Sequence, residues 1–123
     1  MEGGPPKSFK ELLSRFATGE RNFAGAELDE DDENDLEGVC LDGVDLSRSF
    51  IVASFRRASL RGAIFRDANV KTCDFSGADL TGSNFRGAAL CETTFVGAIL
   101  DGVKIGGARY HSRVFTDEDR PDW

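Results

Sequence analysis

Ala78-Asp79-Leu80-Thr81-Gly82-Ser83-Asn84-Phe85-Arg86-Gly87 states one five-residue phrase twice: small, polar, large apolar, polar, glycine. The rhythm extends outward. From Phe55 a large apolar residue returns at every fifth position: Phe55, Leu60, Phe65, Val70, Phe75, Leu80, Phe85, Leu90, Phe95, Leu100, Ile105, Tyr110 and Phe115. Two residues before each stands a mostly small one, from Ala53 to Ala108, until Arg113 breaks the rule. Glycine recurs two residues after the large one at 62, 77, 82, 87, 97, 102 and 107. A period of five fits neither the α-helix face repeat near 3.6 nor the strand repeat near 2. It fits a chain that turns a corner every five residues. The large residue then fills the axis, the small one also points inward, and glycine supplies the corner's backbone freedom.

Four corners close a square coil of twenty residues, and that longer period is visible directly. Phe55, Phe75, Phe95 and Phe115 form one column; Leu60, Leu80 and Leu100 a second; Phe65, Phe85 and Ile105 a third; Val70, Leu90 and Tyr110 a fourth. Identical side chains are thus expected to stack in ladders. Upstream, Leu36, Leu41 and Leu46 continue the rhythm, with Val39 and Val44 at small sites. The step from Leu46 to Phe55 is nine residues, one short of two repeats. Ile51 reads as inward with Ser49 as its small partner, which completes the first full coil; Phe50 inward is the alternative. Phe23 and Leu28 read as a partial coil. The step of eight from Leu28 to Leu36 makes about three residues bulge outward within the acidic run 29–35.

Ala78-Asp79-Leu80-Thr81-Gly82 matches the A-(D/N)-L-x-x phrase of the pentapeptide-repeat family in full, and Ser83-Asn84-Phe85-Arg86-Gly87 nearly so. The chain resembles that family over about residues 20–115. The resemblance implies an all-β fold, a right-handed quadrilateral parallel β-helix, here of about four full coils plus a partial one. Gly19-Glu20-Arg21-Asn22-Phe23-Ala24-Gly25-Ala26-Glu27-Leu28 is similar to openings common in cyanobacterial members.

A solenoid leaves backbone and core bare at each end, so caps are expected. Phe9, Leu12, Leu13 and Phe16 follow helical spacing. Ser8 with Glu11 is a capping box, and Gly19 marks a stop. The expectation is an N-terminal tail and capping helix in 1–19 with the helix near 8–17, a solenoid over 20–115, and a polar tail 116–123 that folds back as a loose cap.

Net charge is −7 and strongly segregated. Residues 27–45 hold ten acids and no base; residues 55–73 hold five bases and one acid. Such segregation speaks of partners and solubility rather than fold. No apolar run reaches membrane-spanning length, and the opening residues lack a secretion-signal layout, so a cytoplasmic location is expected. Three cysteines without close pairing argue against a disulfide framework.

The chemistry-bearing residues point to no catalytic site, cofactor or metal. Asp29, Asp31, Glu33 and Asp35 alternate like a calcium loop, but Asn34 stands where its glycine is required and Cys40 where its closing glutamate is required. A solvated loop is expected there, with non-specific divalent binding left open. His111 should face solvent, Cys73 should be an inert core residue, and Cys40 and Cys91 should point outward on different columns. Outward residues also stack: Arg56 over Glu37 and Arg61 over Asp42 read as exposed ion pairs of little worth. Arg66 stacks between Ser47 and Arg86 beside Arg48, with Ile64, Asn84 and Lys104 on the neighbouring face. This reads as an uncompensated basic edge. The expected function is a non-enzymatic interaction or scaffold module, a monomer whose Arg48, Arg66, Arg86, Lys104, Ile64 and Asn84 meet an acidic protein partner. The alternative is a DNA-mimicking inhibitor of an enzyme such as gyrase. Direct nucleic-acid binding is disfavoured, because the protein is acidic overall and lacks a basic stripe interleaved with exposed aromatics.

Overall fold

The computed structural model describes residues 4–29, 36–121 and 123; residues 30–35 of the acidic bulge lie outside them, and with them the expectation about divalent binding. The chain winds as a stack of rungs. Its ordered elements are α1 (Phe9–Ala17), β1 (Glu27–Leu28), β2 (Phe50–Ile51), β3 (Arg109–Tyr110) and β4 (Arg113–Val114). Strands are few because each side of the tube is so short that generally one residue per side lies in ladder geometry before the next corner. The rungs therefore meet through single parallel bridges, such as Ser59–Asp79–Ile99 and Ile64–Asn84–Lys104.

The inward residues form four columns. The first holds Leu36, Phe55, Phe75 and Phe95, the second Leu41, Leu60, Leu80 and Leu100. The third holds Phe23, Leu46, Phe65, Phe85 and Ile105, the fourth Leu28, Ile51, Val70, Leu90 and Tyr110. All but Leu100 and Tyr110 are fully or almost fully buried. Phe55, Phe75 and Phe95 stack at ring-centre distances of 5.1 and 5.4 Å with planes within 10°. Phe65 and Phe85 stack at 4.8 Å, and the two columns meet edge to face. Both arrangements suit the ring quadrupole, and a single core fills the tube.

Each described corner except the one after Ile51 is a β-turn. The C=O of the large residue accepts the N–H of the small residue three on, as in Phe55–Ala58 and Phe75–Ala78 at 3.0 Å. The second of the turn's two central residues has positive φ, as in a type II turn. The polar residue of the phrase has its own task. The side chains of Asp45, Asn69, Asp74, Asp79 and Asn84 each accept the N–H two residues on, at 2.9–3.2 Å. These Asx turns pre-bend the chain into the corner, which is why Asp and Asn recur there.

Ile51 is buried and Phe50 is 37% exposed, so the inward residue at the slip is Ile51. Pairs that span the slip are nineteen residues apart (Cys40–Ser59) and pairs above it twenty (Ser59–Asp79), while the turn below it, which holds the bulge, pairs at twenty-three (Asn22–Asp45). The missing residue is absorbed at the corner after Ile51, which has no turn hydrogen bond; the Cys73 thiol donates to Ile51 C=O instead, at 3.2 Å.

At the N-terminal end, Ser8 Oγ accepts the Glu11 N–H (3.0 Å) and opens α1. Glu11 returns its hydrogen bond to Lys7 N–H rather than to Ser8 N–H. Phe9 and Leu12 are buried within the core cluster. The C-terminal end departs from expectation. Parallel winding stops at β3, which pairs antiparallel with β4. Phe115 is buried, but it bonds back to Gly107 and Ala108 and does not extend the first column. Trp123 takes that place: its C=O accepts the Phe95 N–H, and its ring meets Phe95 edge to face at 6.0 Å while stacking on Phe115.

Candidate interaction surface

The tail is pinned rather than loose. Asp117 Oδ1 accepts the N–H groups of Ile105 (3.0 Å) and Gly106 (2.7 Å), standing in for the carbonyl of a further rung. Its Oδ2 accepts Arg86 Nη2 at 2.6 Å. The Arg86 guanidinium, then the Gly106 N–H, hold the Asp117 carboxyl well below the usual carboxylate range. Arg86 is therefore compensated, which corrects its place in the bare basic edge. The sequence carried no sign of this, because the reversal at 110–113 breaks the stacking rule that placed it.

The two sides of the tube treat their bases differently. Along the first and second columns every arginine has a carboxylate: Arg57 pairs with Glu37, Arg56 with Asp74 (3.3 Å) and Arg61 with Asp79 (4.0 Å). Arg56 and Arg61 thus reach up one rung instead of down to Glu37 and Asp42. Asp42 accepts Ser59 Oγ (2.6 Å) and the Arg61 backbone N–H (2.9 Å) instead. Along the third and fourth columns, Arg48, Lys71, Lys104 and Arg109 have no ion pair among the described residues, and Arg66 has only its neighbour Asp67 at 3.9 Å.

Ile64, Asn84 and Lys104 do line up on one face, and Arg66 and Arg86 share the adjoining corner, with Arg48 next to it in register with Asp67. Around that corner lies the column Glu27, Phe50, Asn69, Ala89 and Arg109, whose Phe50 and Arg109 extend the surface. Their signal was the spacing of nineteen, which turns Phe50 outward. Arg48 takes φ of 57° at a position where glycine stands in other rungs (Gly87, Gly107).

The cysteines occupy three environments. Cys73 is buried, and desolvation pushes its thiol up to about 12. Cys40 is exposed, and Cys91 accepts the His111 N–H on Sγ at 3.2 Å. His111 lies 3.7 Å from Glu92 on an exposed corner. Among the described residues no group of three His, Cys, Asp or Glu side chains is placed to hold a metal, and no helix is long and apolar enough to cross a membrane.

The family model of pentapeptide repeats matches residues 50–77 and 73–109. Among solved structures the chain is similar to alr5209, a pentapeptide repeat protein from Nostoc PCC 7120: 32% identity over 85% of this chain and 80% of that one, TM-score 0.46. It is also similar to HetL from Nostoc sp. strain PCC 7120, a pentapeptide repeat protein involved in heterocyst differentiation regulation: 28% identity over 84% of this chain and 47% of that one, TM-score 0.49. A third, Rfr23 from Cyanothece 51142, is 19% identical over 87% and 84% of the two chains, TM-score 0.41. No curated protein sequence matches the chain. Pentapeptide repeat proteins fold as right-handed β-helices; with its five-residue phrase and its stacked inward columns, this chain belongs to the pentapeptide repeat family.

Proposed function

We propose that the protein is a non-enzymatic interaction module, a rigid tube of four coils and a partial one closed at its N-terminal end by α1, that binds an acidic protein partner. The docking surface is the side built on the third and fourth columns: Arg66, Arg48 and Lys104, with Ile64 and Asn84 between them. The carrying observation is the asymmetry of compensation. Exposed ion pairs are each worth little, yet every arginine of the first and second columns has one, whereas Arg48, Lys71, Lys104 and Arg109 have none among the described residues. Outward residues of a solenoid vary without disturbing its core, so such a bias is affordable to the fold. Arg86, tied to Asp117, belongs to the tail's anchorage.

Reversing Arg66 and Lys104 to Glu removes the partner from an affinity capture, whereas reversing Arg61, on the compensated side, leaves it bound. Retention of every captured protein by the Arg66/Lys104 variant would exclude this surface. A DNA mimic needs a continuous acidic surface, which this basic side interrupts. A gyrase supercoiling assay separates the two readings, since inhibition at low micromolar protein would favour mimicry.

A further inference from the structure

The tail covers only half of the C-terminal end. The tail meets the last rung through Asp117, Phe115 and Trp123, whereas residues 96–103 make no hydrogen bond to it among the described residues. Among the described residues, the N–H groups of Gly97, Leu100 and Gly102 find no acceptor, and the carbonyls of Ala98 and Val103 find no donor. One rung lower the equivalent groups are all used. Gly77, Leu80 and Gly82 donate to Val96, Ile99 and Asp101 at 2.8–2.9 Å, and Ala78 C=O accepts the Ile99 N–H at 2.9 Å. Of the inward apolar residues, Ala78 and Leu80 are fully buried while Ala98 and Leu100 are only partly so, although Val103 stays buried; the outward Val96 and Ile99 are 57% and 47% exposed.

We infer that this open rung is a docking edge that takes one extended segment of a partner polypeptide, added in parallel as a further rung. Strand addition to a bare edge draws affinity from main-chain hydrogen bonds and specificity from alternate side-chain positions. Here the lower rungs dictate both. The segment places a small residue over Ala98 and a large apolar residue over Leu100. Asp101 sets one polar position. Its counterpart Asp42, at the same corner of the first rung, accepts the Ser59 hydroxyl and the Arg61 N–H from the rung above it. Asp101 has no side-chain partner among the described residues, so its carboxylate is complementary to a Ser or Thr hydroxyl just before the large residue and to the backbone N–H just after it. The occupant therefore reads small–Ser/Thr–large–x–Gly. This edge is separate from the basic side proposed above, and either reading can fail without the other.

The probe is a fluorescently labelled peptide, Phe-Arg-Arg-Ala-Ser-Leu-Arg-Gly-Ala, which repeats residues 55–63 of this chain. Its composition-matched scramble controls for simple attraction to an acidic protein. Binding read by anisotropy is expected to be at least ~10-fold tighter for the peptide than for the scramble. The amides of Gly97, Leu100 and Gly102 should gain protection from exchange when it binds. Ile99→Asp and Asp101→Lys, both exposed positions, should each abolish the preference, while Arg66→Glu keeps it. Equal binding of the scramble, or a preference untouched by both edge variants, would overturn the inference. So would sedimentation showing that the protein dimerises and that Ile99→Asp makes it monomeric, because the occupant would then be a second copy.

Discussion

Two corners of the tube reach one backbone shape by opposite means. The corner after the second column carries glycine in every rung: Gly43, Gly62, Gly82 and Gly102, all with φ of 67–76°. The corner after the fourth column carries none in its turns, yet Thr72 and Glu92 take φ of 66° and 63°. A left-handed conformation costs a side-chain-bearing residue about 1–2 kcal/mol, and a β-branched one is a genuine outlier there. What compensates lies inside. Cys73 donates to Ile51 C=O and Thr93 to Val70 C=O (3.0 Å), each bracing the fourth column of the rung below. Corner geometry is thus imposed by the core and the ladder, and the turn residue only sets its cost.

That account breaks most severely through the core. Phe75→Asp puts a charge between stacked rings, where desolvation is prohibitive; the expected result is an unfolded protein with no cooperative melting transition. A normal melting curve would sink the stacked core itself. Truncation to Phe75→Ala is milder, costing about 3–5 kcal/mol.

Next come the corners themselves. A Cβ at position 82 meets nothing within 4 Å, so Gly82→Thr tests conformation free of clash. It is expected to lower stability by about 1–2 kcal/mol. The reciprocal change, Thr72→Gly, should raise it by about 0.5–1 kcal/mol, reduced by the extra entropy glycine loses on folding. Chemical denaturation measures both, and equal and opposite signs would sharpen the comparison. If Thr72→Gly destabilised, the threonine would have a structural role beyond the turn.

A smaller effect separates the ends of the tube from its middle. The Asp117 carboxyl has its folded pKa depressed, so its contribution is present above the unfolded value near 3.9 and is lost as pH falls toward the folded one. Trp123 emission should therefore shift red as pH falls below about 4, while the rungs stay intact by circular dichroism. Asp117→Ala should show the shifted emission at neutral pH. The smallest expected effect is at thiols: a maleimide probe should label Cys40 readily and leave Cys73 untouched until the protein unfolds.

The columns, the small inward sites, the slip and the helix were legible because each is periodic, and periodicity survives in a single sequence. Ile51 against Phe50 remained open in the sequence because both are apolar; the bridge spacing of nineteen decides it. The C-terminal end was misread for a physical reason. Phe115 keeps the five-residue rhythm, but Arg113 in place of a small residue ends the winding, and Asp117 and Trp123 hold the reversal through contacts with no period at all. The bare basic side was half legible: stacking located Arg66, Ile64, Asn84 and Lys104, whereas ion-pair partners depend on how far a guanidinium reaches, as Arg56 and Arg61 show.

The residue missing after Ile51 gives the chain a phase mark. A turn of the tube that crosses it is nineteen residues long, one wholly above it twenty. A duplication of twenty residues taken wholly above Phe55 would insert one more turn without rotating any outward residue to another side. The same duplication copied across the mark would displace every later residue by one position and turn the core outward. Growth of this tube in evolution, or its extension by an engineer, is therefore open on one side of Ile51 and closed across it.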